Sequence, residues 1–266
     1  MTTLRRTLAV LAYSSFLVVG AGVRGALPAD AATPGPAPGY WLVGADGGVF
    51  SFGAPFYGSG VTPLGACDFS PQAPSTESPV LGCDAMASTP SGNGYWLLNA
   101  FRSSTAFGQA GQALQAGCTG ANGATGHWTG IASSPTGNGF FMTSSNGGVE
   151  GCGDAVPLGG LDTTTLNAPV VGIAATPDGR GYWLVASDGG VFSFGDAQFH
   201  GSMGGTHLNA PVVGIAATPD GRGYWLAGKD GGVFSFGTAP FEGSMGGTRM
   251  KAPVIGIAVF RPSVSG

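Results

Sequence analysis

Charged side chains are scarce in this sequence: ten Lys or Arg and 14 Asp or Glu among 266 residues, 9% in all. Soluble domains ordinarily carry about a quarter, so a solvated helical bundle and a charge-rich disordered chain are both excluded. There is no run of Lys or Arg and the formal net charge is -4. That excludes an electrostatic footprint for nucleic acid, which needs clustered cations to displace counterions. Histidine and cysteine are also few, three and four. Without a C-x-x-C pair, and with His127, His200 and His207 off ligand spacing, neither a metal nor a cofactor is expected.

Glycine, by contrast, is abundant, at 51 residues beside 19 prolines. It has no G-X-Y period, so collagen is excluded. With 43% hydrophobic residues the chain can bury a core, and a turn-dense all-β architecture is the expectation.

Arg5 and Arg6 precede an apolar stretch from Leu8 to Val23, and Ala29-Asp30-Ala31 places small residues where a signal peptidase reads. Residues 1–31 therefore read as a secretory signal peptide and 32–38 as a linker; an uncleaved anchor is the rival. No later segment is long and apolar enough to span a bilayer. Removing Arg5, Arg6, Arg24 and Asp30 from ten basic and 14 acidic residues leaves seven against 13. Export, to the medium or the cell wall, puts Cys67, Cys83, Cys118 and Cys152 in an oxidising compartment, so two disulfides are expected. Three connectivities are open; Cys67 with Cys83 and Cys118 with Cys152 closes the shorter loops.

The strongest signal is internal. Residues 168–209 and 210–251 are 42-residue copies differing at nine positions, the mark of a repeat architecture. Gly181-Tyr182-Trp183-Leu184 recurs at Gly223-Tyr224-Trp225-Leu226, Gly39-Tyr40-Trp41-Leu42, Gly94-Tyr95-Trp96-Leu97 and, degraded, Gly139-Phe140-Phe141-Met142. That makes five copies. Within one, Pro169–Thr176, Gly181–Ser187, Gly190–Phe194 and Phe199–Met203 are β-prone runs, separated by Pro177-Asp178-Gly179 and Asp188-Gly189-Gly190, whose residues tolerate tight-turn dihedrals. Four short strands per copy predict a β-propeller blade. The first copy begins in its second strand, and Ala252–Val259 repeats a first strand. The expectation is therefore a five-bladed β-propeller over 39–260 with four-stranded blades. Its ring would be closed by the C-terminal strand completing the N-terminal blade, which removes exposed edges; residues 261–266 form a tail. A β-solenoid is the structural alternative.

The tract GYWLVASDGGVFSFGDAQFHGSMGGTHLNAPVVGIAATPDGRGYWL resembles the repeat of exported actinobacterial proteins that carry it alone or beside hydrolase domains. The resemblance covers 39–259 and weakens in the second and third copies. There Phe101-Arg102-Ser103 replaces the DGGV turn, and Glu150 and Cys152 stand where the fourth copy has Phe192 and Phe194. It implies export and a propeller, without a settled activity. The architecture also resembles, more loosely, the five-bladed lectins of tachylectin type.

Catalytic patterns are hard to find. Glycosidases need two carboxylates at the mouth of a funnel, yet 129–135, 170–176, 212–218 and 254–259, the expected channel strands, hold no acid. Asp84 alone could approach the axis. Asp46, Asp188 and Asp230 share one turn position, Asp178 and Asp220 another, Asp154 and Asp196 a third, as turn chemistry predicts. Gly201-Ser202-Met203-Gly204-Gly205 fails the nucleophile-elbow spacing because His200 stands where the first Gly belongs. Each DGG turn offers one carboxylate, too few for calcium.

Candidate binding residues come from the differences between the two near-identical copies. Ser187 becomes Lys229 beside the DGG turns of Asp188 and Asp230, and His207 and Asn209 become Arg249 and Lys251 in the inter-blade link. Alternating strand direction puts turn and link on one face, which is either drifting freely or contacting a ligand. Trp41, Trp96, Trp183 and Trp225 share a central-strand position, which predicts inter-blade packing. Trp128, beside His127 in a link, is the candidate exposed stacking platform. The expected function is a monomeric, non-catalytic exported module binding a cell-envelope or extracellular glycan. A protein-binding scaffold or adhesion module is the alternative, and a glycoside hydrolase with an unrecognised site involving Asp84 the third.

Overall fold

The computed structural model describes residues 38–59, 83–99, 104–108, 118–119 and 127–261. The leader over 1–31 with its cleavage site, most of the linker, Cys67 and the tail beyond Arg261 lie outside the described residues. No helix occurs among those described, hence none long enough to cross a membrane.

Five antiparallel sheets make up the described chain. Sheet 1 combines β16 (Val254–Phe260), β1 (Gly39–Gly44) and β2 (Val49–Phe52). Sheet 2 is β3 (Cys83–Ser88), β4 (Gly94–Asn99) and β5 (Ser104–Gly108). In sheet 3, β7 (Trp128–Ser133), β8 (Phe140–Ser144) and β9 (Val149–Cys152) are joined at the outer edge by β6 (Cys118–Thr119). Sheet 4 is β10 (Val170–Ala175), β11 (Gly181–Ala186) and β12 (Val191–Gly195). Sheet 5 is β13 (Val212–Ala217), β14 (Gly223–Gly228) and β15 (Val233–Gly237). β16 pairs with β1 from Gly39↔Phe260 to Gly44↔Val254. The first strands adjoin one another in the order β3, β7, β10, β13, β16 and back to β3.

Four-stranded sheets were expected throughout, and this is corrected: only sheet 3 has a fourth strand among the described residues. The predicted strand Phe199–Met203 carries no ladder, because its backbone bonds sideways to the next sheet. The His200 N–H donates to the Tyr224 hydroxyl (3.1 Å), which donates to the Gly201 carbonyl (2.5 Å). Gly201, at φ 130°, lies so close to Phe236 that a Cβ there would sit 2.6 Å from its ring. Each such segment is thus a strap onto its neighbour.

The core divides into five apolar clusters, one per junction between adjoining sheets. The Tyr-Trp pair explains this division, since neighbouring strand residues point to opposite faces. Trp183 of sheet 4 meets Tyr224 of sheet 5 at 5.5 Å between ring centroids, Trp225 meets Tyr40 at 5.4 Å and Trp41 meets Tyr95 at 5.0 Å. Trp41, Trp183 and Trp225 are fully buried, so their repeat position serves packing.

The first strands share a bulge at one register position, between Val170 and Gly172 in β10 and at its equivalents. The next residue is Gly130, Gly172, Gly214 or Gly256, with Ala85 in β3. A Cβ at Gly130 would lie 2.9 Å from the Gly172 Cα, and one at Gly214 would lie 3.3 Å from the Gly256 Cα. Backbone therefore approaches backbone closely where β7, β10, β13 and β16 adjoin, which favours glycine there, while β3 carries the smallest side chain, Ala85.

Candidate functional site

The turn-and-link face is assembled by the backbone. The Ser187 N–H donates to the Pro169 carbonyl (2.9 Å) and its carbonyl accepts from the Val212 N–H (2.9 Å); Lys229 does the same with Pro211 (2.8 Å) and Val254 (3.1 Å). Ser187 and Lys229 thereby join the link into their own sheet to the link into the next. Asp188 and Asp230 are occupied in their own turns, accepting from the Gly190 and Gly232 N–H groups at 2.9 and 3.0 Å. His207, Asn209, Arg249 and Lys251 are exposed. No hydrogen bond or ion pair links any of these four, or Lys229, to another of the five. The face brings the candidates to one end of the sheets without converging them, and none of the ten lines any of the three cavities described below.

His127 is exposed, its carbonyl accepting from the Ser145 N–H (2.9 Å). Trp128 departs from expectation. It opens β7 opposite Ser144, as Val170 opens β10 opposite Ala186, so it does have a place in the repeat register. It is half-buried, packed against the cluster of Trp96, Ile131, Phe140 and Met142. The expected place in a link is thereby corrected: Trp128 stands where the fourth copy has Val170.

Two small cavities lined by the first strands of the sheets have volumes of 60 and 20 Å³, far below the several hundred Å³ of ordinary ligand pockets. No carboxylate is among the described residues that line them. Asp84 occupies the bulge position of β3, equivalent to Thr129 and Val171, which line the smaller cavity; its side chain is outside the described residues. A third cavity of 340 Å³ lies among the Asp178, Asp196 and Asp220 turns. There the Asp178 carboxylate accepts from the Thr176 hydroxyl (2.7 Å) and the Arg180 N–H (3.1 Å), which hold it below the usual carboxylate range. Burial pushes the Asp220 carboxyl up, but hydrogen bonds from Thr218, the Arg222 N–H and Thr238 outweigh it and leave it lowered. These acids staple turns.

The sequence reading missed the rim. Phe56, Phe199 and Phe241 occupy one repeat-equivalent position and are 60, 60 and 61% exposed. Each is clamped from both sides. The Trp183 Nε1–H donates to the Gln198 carbonyl (2.7 Å) just before Phe199, and Tyr224 holds His200 and Gly201 just after it. Trp225 holds the Pro240 carbonyl (2.6 Å) before Phe241 while Tyr40 holds Glu242 and Gly243; Trp41 holds Pro55 (2.7 Å) before Phe56 while Tyr95 holds Gly58. The following residue turns inward: His200 lies between Trp183 and Tyr224, at 6.2 and 5.6 Å, and Tyr57 between Trp41 and Tyr95. The phenylalanines belong to none of the five clusters. The signal is in the sequence, a Phe repeated in all three tracts PFYGS, QFHGS and PFEGS, but Phe199 there only opens the β-prone run Phe199–Met203.

In sheet 3 the pattern breaks. Phe140 and Cys152 replace the Tyr and second Phe that receive a strap elsewhere, and Cys118 stands directly opposite Cys152 across β6 and β9. Cys152 is fully buried and disulfide-bonded.

No protein-family model matches the chain, and no curated protein matches it. Among solved structures it is similar to a chain of the crystal structure of a nidogen/laminin complex, at 9% identity and a TM-score of 0.48, covering 84% of this chain and 98% of that one.

Proposed function

We propose that the five sheets are blades of a closed five-bladed β-propeller, and that this exported, monomeric, non-catalytic protein binds an extracellular or cell-envelope glycan. Closure is supported by the β16–β1 ladder and by an apolar cluster at each of five junctions, the sheet 5 to sheet 1 junction included. Export is supported by the apolar leader and A-x-A site, and an oxidising compartment by Cys152, whose partner we assign as Cys118 from their shared register.

The observation that carries the glycan reading is the set of clamped phenylalanines. A ring at about 60% exposure on backbone pinned at both sides offers a flat apolar face to a sugar, with the backbone ordering already met. One ring on each of sheets 1, 4 and 5 makes separate platforms instead of the continuous patch a protein interface favours. Repetition suits a polymeric ligand, because equivalent weak sites add through avidity. The axial cavity of 60 Å³ is too small for a sugar ring.

The test is a glycan array and cell-wall pull-down with residues 32–266, using the wild type and the Phe56→Ala, Phe199→Ala, Phe241→Ala triple variant. Binding by the wild type and a loss of about tenfold per ring are expected, with the melting temperature nearly unchanged. Absence of glycan binding at high micromolar protein, or capture of protein alone, would overturn the glycan reading. Equal binding by the triple variant would move the site to the Lys229, Arg249 and Lys251 face.

A further inference from the structure

Four prolines, Pro90, Pro135, Pro177 and Pro219, follow the Thr or Ser that comes directly after the first strand of sheets 2 to 5. In sheet 1 the same register position is Arg261, directly after β16. Packing confirms the equivalence. A Cβ on the turn glycine of each following sheet would meet this residue: Gly137 meets Pro90, Gly179 meets Pro135, Gly221 meets Pro177, and Gly92 meets Arg261, at 2.3 Å from its nitrogen. One position of a proline collar is thus cationic.

The Arg261 side chain lines the larger axial cavity. Its Nε is buried and has no hydrogen-bond partner, and its one hydrogen bond runs from a terminal nitrogen to the Pro90 carbonyl at 3.5 Å. No carboxylate pairs with it, the ion pair among the described residues being Arg180 with Asp178. Three of the lining hydroxyls are committed elsewhere: Thr89 donates to the Gly94 carbonyl (3.2 Å), Ser133 to the Ser134 carbonyl (3.0 Å) and Thr176 to Asp178 (2.7 Å). The rest of the lining is Ile, Ala, Met and Val side chains with Pro90, Pro135 and Pro177 and the two serines Ser88 and Ser134. Burial holds the guanidinium below its ordinary value, with no opposing charge to restore it. An unpaired desolvated cation is strongly disfavoured, and here it faces a cavity of 60 Å³, room for a monatomic ion or a species of a few heavy atoms.

We propose that this axial cavity binds a small monovalent anion, held by the Arg261 guanidinium at the end of β16. The anion neutralises the buried charge and completes the donor set of Nε. Low-dielectric walls strengthen the attraction, and the cavity volume of 60 Å³ selects by size. Bound there, it fastens the end of the closing strand to the Thr89–Gly94 turn of sheet 2.

The experiment compares melting temperatures of residues 32–266 in sodium bromide, sodium formate and sodium gluconate at equal ionic strength. Gluconate, too large for the cavity, is the reference. A saturable rise of about 5 °C at a hundredfold excess over Kd is expected in bromide or formate. Response to formate alone makes the natural ligand a carboxylate, and response to both makes it an anion of either kind. Arg261→Gln should lose the response and Arg261→Lys should keep a weaker one. Should Arg261→Gln not fold, anomalous scattering from bromide in wild-type crystals locates the site, with a peak within hydrogen-bond reach of Arg261 expected. Identical melting in all three salts, an unaltered response in Arg261→Gln, or a bromide peak only at the protein exterior overturns the proposal.

Discussion

At the scale of residues, the tyrosine hydroxyl does work that composition does not reveal. Tyr224 accepts from His200 and donates to Gly201, and its ring packs on Trp183 and Phe236. Tyr224→Phe keeps the ring and removes both hydrogen bonds, so a loss of about 1–2 kcal/mol is expected, read as a Tm lower by about 2–8 °C. Burial raises the phenols of Tyr40, Tyr182 and Tyr224, and pushes Tyr95 up to about 12. The folded chain therefore holds these protons where the unfolded chain, with values near 10, has released them. Stability is expected to be level below pH ~10 and to fall between pH ~10 and ~12. Urea midpoints across that window check this, and a flat profile, or one unaltered by Tyr95→Phe, contradicts it.

At the scale of elements, the strap is the feature that needs glycine. Gly201 combines φ 130° with a blocked Cβ direction, 2.6 Å from Phe236, whereas Gly205 at φ 79° has nothing within 4 Å of a Cβ. Gly205→Ala carries backbone strain alone, about 1 kcal/mol. Gly201→Ala adds a clash and should cost at least about 1 kcal/mol more, and equal chemical denaturation midpoints for the two variants would refute the distinction. The three inner strands of each copy were legible because hydrophobic runs end at Pro-Asp-Gly and Asp-Gly-Gly turns, and those signals are local. The fourth was not. Phe199–Met203 has strand-like composition, but its hydrogen-bond partner lies about 24 residues away on Tyr224, and no local pattern announces that choice. Trp128 was misplaced for a related reason, since register with Ser144, not residue type, puts it in β7.

At the scale of the whole molecule, the proposed closure makes the C-terminal strand the keystone. β16 supplies Val254, Ile257 and Val259 to the sheet 5 to sheet 1 cluster and Ala258 to the sheet 1 to sheet 2 cluster. Removing residues 253–266 bares the β1 edge and opens both clusters, so loss of a cooperative thermal transition is expected. A synthetic peptide of residues 252–261 added in trans should restore it. A truncated chain that melts cooperatively at the wild-type temperature would show that β16 is dispensable and the closure mistaken.

The sequence alone determined the repeat, the all-β class, the copy number and the turn role of the DGG acids, because each depends on contacts between residues close along the chain or on self-similarity. Only the tertiary structure decided which aromatics are spent on the core and which reach solvent. Trp183 and Phe199 are both repeated aromatics, yet one is fully buried and the other 60% exposed. The difference is made by the neighbouring sheet, which covers one and clamps the backbone beside the other. The same holds for Arg261, an ordinary arginine by sequence until register seats it in a collar of prolines beside a small cavity.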